Sequence, residues 1–159
     1  VVAISGKPEL FCLKHFDVAI IDEATQILEP QLLGILCARG EDGKDAIDKF
    51  VLIGDHKQLP AVVQQNTEQS AIYDESLLSI GLTNLKDSLF ERLYRNCTAT
   101  VHRSYDMLCR QGRMHPEVAL FANRAFYGGR LIPVGLPHQI ESSDTICRLA
   151  FYPSVPEKA

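Results

Sequence analysis

Two short runs, Val18-Ala19-Ile20-Ile21 and Phe50-Val51-Leu52-Ile53, are continuously apolar, and polar residues crowd in directly after each. Apolar runs without alternation predict strands buried on both faces of a parallel sheet. Between them, Glu29–Arg39 repeats apolar residues at helical spacing, with Pro30 in a first-turn position and Gly40 after the last turn. That segment predicts a helix. Strand, helix and strand in this order predict a right-handed crossover and an α/β fold, with ligands expected beyond the carboxyl ends of the strands.

The same reading extends along the chain. Val1–Ile4 predicts a further strand, Glu41–Asp45 a solvated loop, Glu68–Gly81 a helix with Ile72, Leu77, Leu78 and Ile80 on its apolar side, and Ser88–Leu93 a second helix. Tyr105–Cys109 predicts a short strand, and Pro116 opens a helix running to Phe126. Beyond Tyr127-Gly128-Gly129 the prolines 133, 137, 153 and 156 punctuate a stretch whose one clear element is a strand over Ile146–Tyr152. A domain boundary is expected near residues 110–130, giving segments 1–110 and 111–159. There is no internal repeat and no low-complexity tract.

Composition narrows the classes. At 159 residues, 46% hydrophobic and 23% charged, the chain is of ordinary globular make-up and one domain's length. A net charge of -4 leaves no global basic field, so any nucleic-acid contact must be local. No run reaches the roughly 18 apolar residues of a membrane span. The opening apolar stretch also stops too early for a signal peptide. Cys12, Cys37, Cys97, Cys109 and Cys147 form an odd set without a C-x-x-C pair or a zinc-finger histidine. They read as small buried hydrophobes in a reducing compartment, and the expectation is a soluble, cytoplasmic, intracellular protein with no membrane partner.

Three clusters carry candidate chemistry. Asp22-Glu23 follows the first predicted strand, which delivers two carboxylates to the sheet edge, with small Ala24 beside them to let backbone approach a ligand. An Asp there can hold a hydrated Mg²⁺ bridging nucleotide phosphates, and an adjacent Glu can orient and deprotonate an attacking water. Equally, such a pair can be a helix cap or a solvated surface dipeptide. The second strand ends in Gly54-Asp55-His56-Lys57-Gln58-Leu59-Pro60, where Gly permits a tight turn and Asp55 can tie down its own loop. The Gln58 amide can both donate and accept, which suits a γ-phosphate sensor; an ordinary Gly-Asp turn is the plainer reading. In Arg110–Glu117, Arg113 projects from a strand–helix junction, the position of an arginine finger or of a common surface arginine, and His115 beside Pro116 can be a capping contact.

Together these segments resemble a known family. DEATQ at 22–26, GDHKQLP at 54–60, SLFERL at 88–93 and QGRMHPEVALFANRAFYGGRL at 111–131 are similar to motifs II, III and IV of superfamily 1 nucleic-acid helicases. The branch they resemble is that of the nonsense-mediated-decay and Okazaki-flap helicases (1B), whose pattern reads DEASQ, GDxxQLPP, SLFERL and QYRMHP…FYxGxL. The resemblance runs from about residue 16 to residue 131. It implies RecA-like, P-loop NTPase domains with ATP and Mg²⁺ between them and single-stranded DNA or RNA across their tops. By the same resemblance Asp22 contacts Mg²⁺ through water, Glu23 is the catalytic base, and Gln26 lies near the nucleotide. Gln58 senses the γ-phosphate, and Arg113 reaches it across the interdomain cleft.

The chain departs from the pattern in places. Gly112 stands where relatives have the tyrosine on which adenine stacks, and Ala61 replaces the second proline of motif III. Val62–Thr83 exceeds the minimal family connection. No G-x-x-x-x-G-K-[ST] phosphate loop occurs: Gly6-Lys7 precedes Pro8, and Gly43-Lys44 precedes Asp45 with Ala38 at the first glycine position. The expectation is a piece of an ATP-dependent helicase, holding the later part of one motor domain (1–110) and the start of the next (111–159). Alone it should not turn over ATP, and its incomplete core should favour self-association. The alternative is a short non-catalytic binding or assembly module on the same scaffold.

Overall fold

The computed structural model describes residues 2–99 and 104–140. The strand expected over Ile146–Tyr152 lies outside them, as does Cys147. The chain divides into two compact units, Val1–Tyr105 and Asp106–Ala159.

In the first unit, strand β1 (Phe16–Ile21) pairs in parallel with β2 (Ile47–Leu52), Phe16 opposite Ile47 and Ile21 opposite Leu52. Helix α2 (Glu29–Leu36) makes the crossover, with Pro30 in its first turn. The β-α-β unit is therefore as the apolar pattern predicts. Its burial is not. Ala19, Ile21, Phe50 and Leu52 pack against Leu32, Ile35 and Leu89, the last from helix α5 (Leu89–Ala99). Val18, Ile20, Val51 and Ile53, on the alternate face, stay 47, 67, 45 and 42% exposed. A two-stranded sheet with its helices on one face leaves the other open, so the expectation of strands covered on both sides is corrected.

The opening residues form a helical turn, α1 (Val2–Ser5), followed by a 3₁₀ turn at Pro8–Cys12, and the predicted strand is absent. The turn crosses α2 at Gly34, where a β-carbon would lie 2.3 Å from the Ser5 carbonyl oxygen. Close packing onto a helix thus outweighs the β-branched pattern. The single helix expected over Glu68–Gly81 is two short ones, α3 (Thr67–Ser70) and α4 (Glu75–Ser79). Between them the Ile72 N–H donates to Thr83 O (3.2 Å), and the Leu85 N–H donates to Ser70 O (2.8 Å). Asp74 then caps α4 through the N–H groups of Ser76 and Leu77. The loop at 41–45 is exposed as predicted, and Arg39 and Asp45 pair across its base.

In the second unit, the strand expected over Tyr105–Cys109 is displaced: β3 (Arg110–Gln111) pairs in parallel with β4 (Ile132–Pro133). Helix α6 (Pro116–Tyr127) connects them and ends at Gly128, whose φ of 60° is left-handed. A last turn, α7 (Pro137–Ile140), follows. The cysteines are not the buried hydrophobes expected: Cys12 and Cys37 are exposed, Cys97 and Cys109 half-buried, and all four are free thiols. With so much of the sheet uncovered, the core around them is small. No helix among the described residues is long and apolar enough to cross a membrane.

Candidate functional site

The chain leaves β1 in a tight turn that presents Asp22 and Glu23 to solvent. Asp22 Oδ1 accepts the Glu23 N–H at 2.9 Å. Glu23 has φ 51° and ψ 37°, the sole left-handed non-glycine among the described residues. Such a conformation costs on the order of 1–3 kcal/mol and persists where surrounding structure enforces it, which happens most often at functional sites. The enforcement is visible here. The Ala24 N–H donates to Ile53 O at 2.8 Å, and Ile53 N–H to Ile21 O at 2.8 Å, so the turn is bonded to the end of the neighbouring strand. Ala24–Gln26 closes as a 3₁₀ turn, and the Gln26 side-chain amide donates to Glu23 Oε2 at 3.3 Å. Ala24 is small for a different reason from the one expected: it is fully buried against Ile21, Leu32 and Leu89 rather than open to a ligand.

The loop after β2 lies against this turn. A β-carbon at Gly54 would sit 2.9 Å from Thr25 Cγ2 and 3.1 Å from the Thr25 nitrogen, so only glycine lets the two segments approach this closely. Asp55 ties the loop as expected: one carboxylate oxygen accepts the Lys57 N–H (3.0 Å) and the other the Gln58 amide (2.9 Å). Asp22, Glu23, Gln26 and Gln58 are all exposed, on two segments packed together at the carboxyl edge of the parallel pair.

Behind the turn stands a contact that sequence reasoning missed. The Arg92 Nε donates to Glu29 Oε2 at 2.8 Å, its Nη2 pairs with Glu29 Oε1, and its Nη1 reaches Ile80 O at 3.0 Å. Both side chains are largely buried, at 12 and 9% exposed. This pair joins the residues after DEATQ to SLFERL, and it gives that motif a structural meaning. The sequence signal was slight: Arg92 lies inside SLFERL, and Glu29 lies three residues after DEATQ.

In the second unit Gln111 closes its own loop: Oε1 accepts the Met114 N–H and Nε2 donates to Met114 O, both at 2.8 Å. Buried Gln139, also missed, donates from Nε2 to Gln111 O (2.9 Å) and Met114 O (3.0 Å). Arg113 sits exposed on the loop so held. His115 caps α6, its Nδ1 accepting the Glu117 N–H at 3.3 Å, as the sequence anticipates. A β-carbon at Gly112 would lie 3.1 Å from Leu136 Cδ1 and 3.4 Å from Val134 Cγ2, and its carbonyl bonds His138 Nε2 at 2.9 Å.

The Asp22 and Glu23 carboxylates are hard oxygen donors at the edge of a sheet, which fits a hydrated Mg²⁺ rather than a thiophilic metal. His15, Asp17 and Asp48 form a separate exposed cluster near the strands' opposite ends, with ligand atoms within 4.8 Å of one another.

Known proteins give this arrangement its family. Residues 2–66 match a model described as an AAA domain, and residues 85–149 match a second of the same description. The chain is 35% identical over 123 residues to the DNA replication ATP-dependent helicase/nuclease DNA2 of Gallus gallus, covering 77% of this chain and 10% of that protein. It is 31% identical over 120 residues to the DNA polymerase alpha-associated DNA helicase A of Saccharomyces cerevisiae, covering 74% and 15%. The chain belongs to the superfamily 1B-like helicases. The chain is also 37% identical over 113 residues to the 3'-5' exoribonuclease HELZ2 of Mus musculus, 70% of this chain and 3% of that protein. It spans about 10% of the length of the first of these relatives. The mixed α/β fold with small parallel sheets is accordingly a partial RecA-like one.

Proposed function

We propose that this chain is part of an ATP-dependent helicase or translocase that moves on single-stranded DNA or RNA. The observation that carries the reading is the packed pair of segments holding Glu23 and Gln58, with Glu23 held in a left-handed conformation at the carboxyl edge of the sheet. Asp22 would hold Mg²⁺ through water, and the bound ion would supply neutralisation of the phosphate charge. Glu23 orients and deprotonates the attacking water, and Gln26 steadies the Glu23 carboxylate from its own side of the turn. Gln58 bonds the γ-phosphate or its water, and Asp55 fixes the amide in place for that task. Arg113 contributes the guanidinium that stabilises charge on the transferring phosphoryl group.

In this reading residues 1–110 are the later part of a first motor domain and 111–159 the start of a second. The phosphate loop is supplied by sequence other than these 159 residues. The isolated chain therefore does not hydrolyse ATP, and it self-associates through uncovered apolar surface. Its free thiols suit a reducing, intracellular setting such as the cytoplasm.

The test is nucleic-acid-stimulated ATP hydrolysis by the full-length protein. Glu23→Gln should lower kcat by about 10²–10⁴, the span of general-base catalysis, and Arg113→Ala by about 10³ or more. Undiminished turnover in both variants would overturn the site assignment. A parallel titration of residues 1–159 with Mg²⁺-ATP should show weak binding, and tight binding would refute the role given to the missing loop.

A further inference from the structure

Beside the Gln58 loop lies a ladder of three aromatic rings. The His56 imidazole stacks on Tyr94 of α5, with centroids 4.3 Å apart and planes tilted by 34°. Tyr94 in turn meets Tyr105 edge-to-face at 5.1 Å and 74°. His56 and Tyr94 are half-buried, and Tyr105 is 46% exposed.

The two ends of the ladder have different attachments. His56 is two residues before Gln58, inside the loop whose Asp55 carboxylate binds both the Lys57 N–H and the Gln58 amide. His56 is thus carried on the same short turn as Gln58, between the Asp55 carboxylate and the groups that it binds. Tyr105 is the last residue of the first unit, and the chain runs from it into the unit that carries Arg113. Between them, Tyr94 rides on a helix that cannot easily yield. Arg92 on the same helix is locked to Glu29 and to the Ile80 carbonyl, and Arg95 is paired with Asp87.

We propose that His56, Tyr94 and Tyr105 are positioning residues that couple the Gln58 loop to the chain leaving the first unit. On the reading above, they link γ-phosphate occupancy to the response to nucleic acid. Tilted and edge-to-face rings have preferred geometries, so the ladder resists sliding in a way that a purely aliphatic contact does not. None of the three is needed to bind ATP or to attack it. This inference rests on the proposed ATPase function.

The experiment uses the full-length protein and measures ATP KM, kcat without and with single-stranded DNA or RNA, and nucleic-acid Kd. In Tyr94→Ala and in Tyr105→Ala, the stimulated kcat should fall about five- to tenfold, a loss of the size that one aromatic contact supports. ATP KM, unstimulated kcat and nucleic-acid Kd should stay within about twofold, because only the coupling is removed. Tyr94→Phe, which keeps the ring, should restore wild-type stimulation. The double variant Tyr94→Ala/Tyr105→Ala should be no worse than either single change, as expected for members of one device.

Equal losses in unstimulated and stimulated turnover would mean that Tyr94 is merely structural and would overturn the proposal. So would additive effects, or no loss of stimulation in Tyr105→Ala, whose exposed ring makes it the variant least in danger of misfolding. The underlying ATPase reading fails separately: wild-type protein would show no turnover, or Glu23→Gln would show all of it.

Discussion

At the scale of single residues, the site depends on two backbone choices. Glu23 occupies a conformation that suits glycine, held there by the bond from Ala24 to Ile53. Glu23→Gly should therefore raise the stability of the fold by up to about 1 kcal/mol, since the left-handed strain disappears at the expense of added unfolded-state freedom. It should also abolish ATP turnover in the full-length protein. Urea denaturation and an ATPase assay on the same preparation check both halves; a loss of about 0.5–1 kcal/mol, the cost of glycine's added unfolded-state freedom alone, would mean that the turn is not strained. Gly54→Ala is the opposite case. Its methyl group would fall 2.9 Å from Thr25 Cγ2, so the two site segments must separate, at a cost of about 1–3 kcal/mol. The sequence made the glycine legible as a turn residue. What it could not disclose is that the constraint comes from Thr25, because that approach depends on how two strands register.

Among elements, α5 holds the site more firmly than its sequence suggests. Its Arg92 satisfies Glu29 and a carbonyl in a largely buried setting, so removing one partner strands a charge. Arg92→Ala should cost about 3–5 kcal/mol in unfolding free energy. Replacing Arg92 and Glu29 together by apolar residues of similar volume should recover much of that loss. A double-mutant cycle reads the difference, and strictly additive losses would show that the pair is not coupled. Helix α4 offers a pH signature. The Ser76 hydroxyl, and then the Leu77 and Ser76 N–H groups, hold the Asp74 carboxyl below its usual value of 3.8. A depressed carboxyl stabilises the fold above its ordinary value, and that stability is lost as the pH falls through the lower folded value. The protection of the α4 amides, taken relative to intrinsic exchange at each pH, should therefore fall as the solution is acidified below about pH 4, within the ordinary Asp range. Asp74→Asn keeps a cap that does not titrate, and its protection should not fall in this way.

The molecule as a whole explains which sequence readings failed. Strands β1 and β2, helices α2 and α6, and the turns bearing Glu23 and Gln58 follow from local patterns: apolar runs, Pro in a first turn, Gly at a sharp bend. The readings that failed concern what lies outside a segment. Val1–Ile4 has strand-like side chains, yet it packs as a helical turn on Gly34. Glu68–Gly81 has helical periodicity, yet residues 70–72 bond to 83–85 instead. Val18 and Ile20 have the character of buried strand residues, yet among the described residues they stay 47 and 67% exposed.

That uncovered surface leads to a prediction for the isolated chain. In the first unit the open sheet face carries Val18, Ile20, Val51 and Ile53, and an apolar groove of about 450 Å³ runs along β1 past Phe16, Val18 and Ile20. On α6 of the second unit, Val118, Phe121 and Phe126 are 61, 76 and 50% exposed. Apolar patches of this kind are rare on monomers, and a strand edge beside one is a template for further pairing. Residues 1–159 alone should therefore sediment as concentration-dependent oligomers. Val18→Lys/Ile20→Lys should shift them toward monomer if the β1 face is the one buried, while Phe121→Lys should do so if α6 is. A chain that stays monomeric at high concentration would show that neither surface drives association. The net charge of -4 works against assembly by mutual repulsion, so raising the salt concentration should strengthen it, as expected for contacts that are apolar rather than ionic.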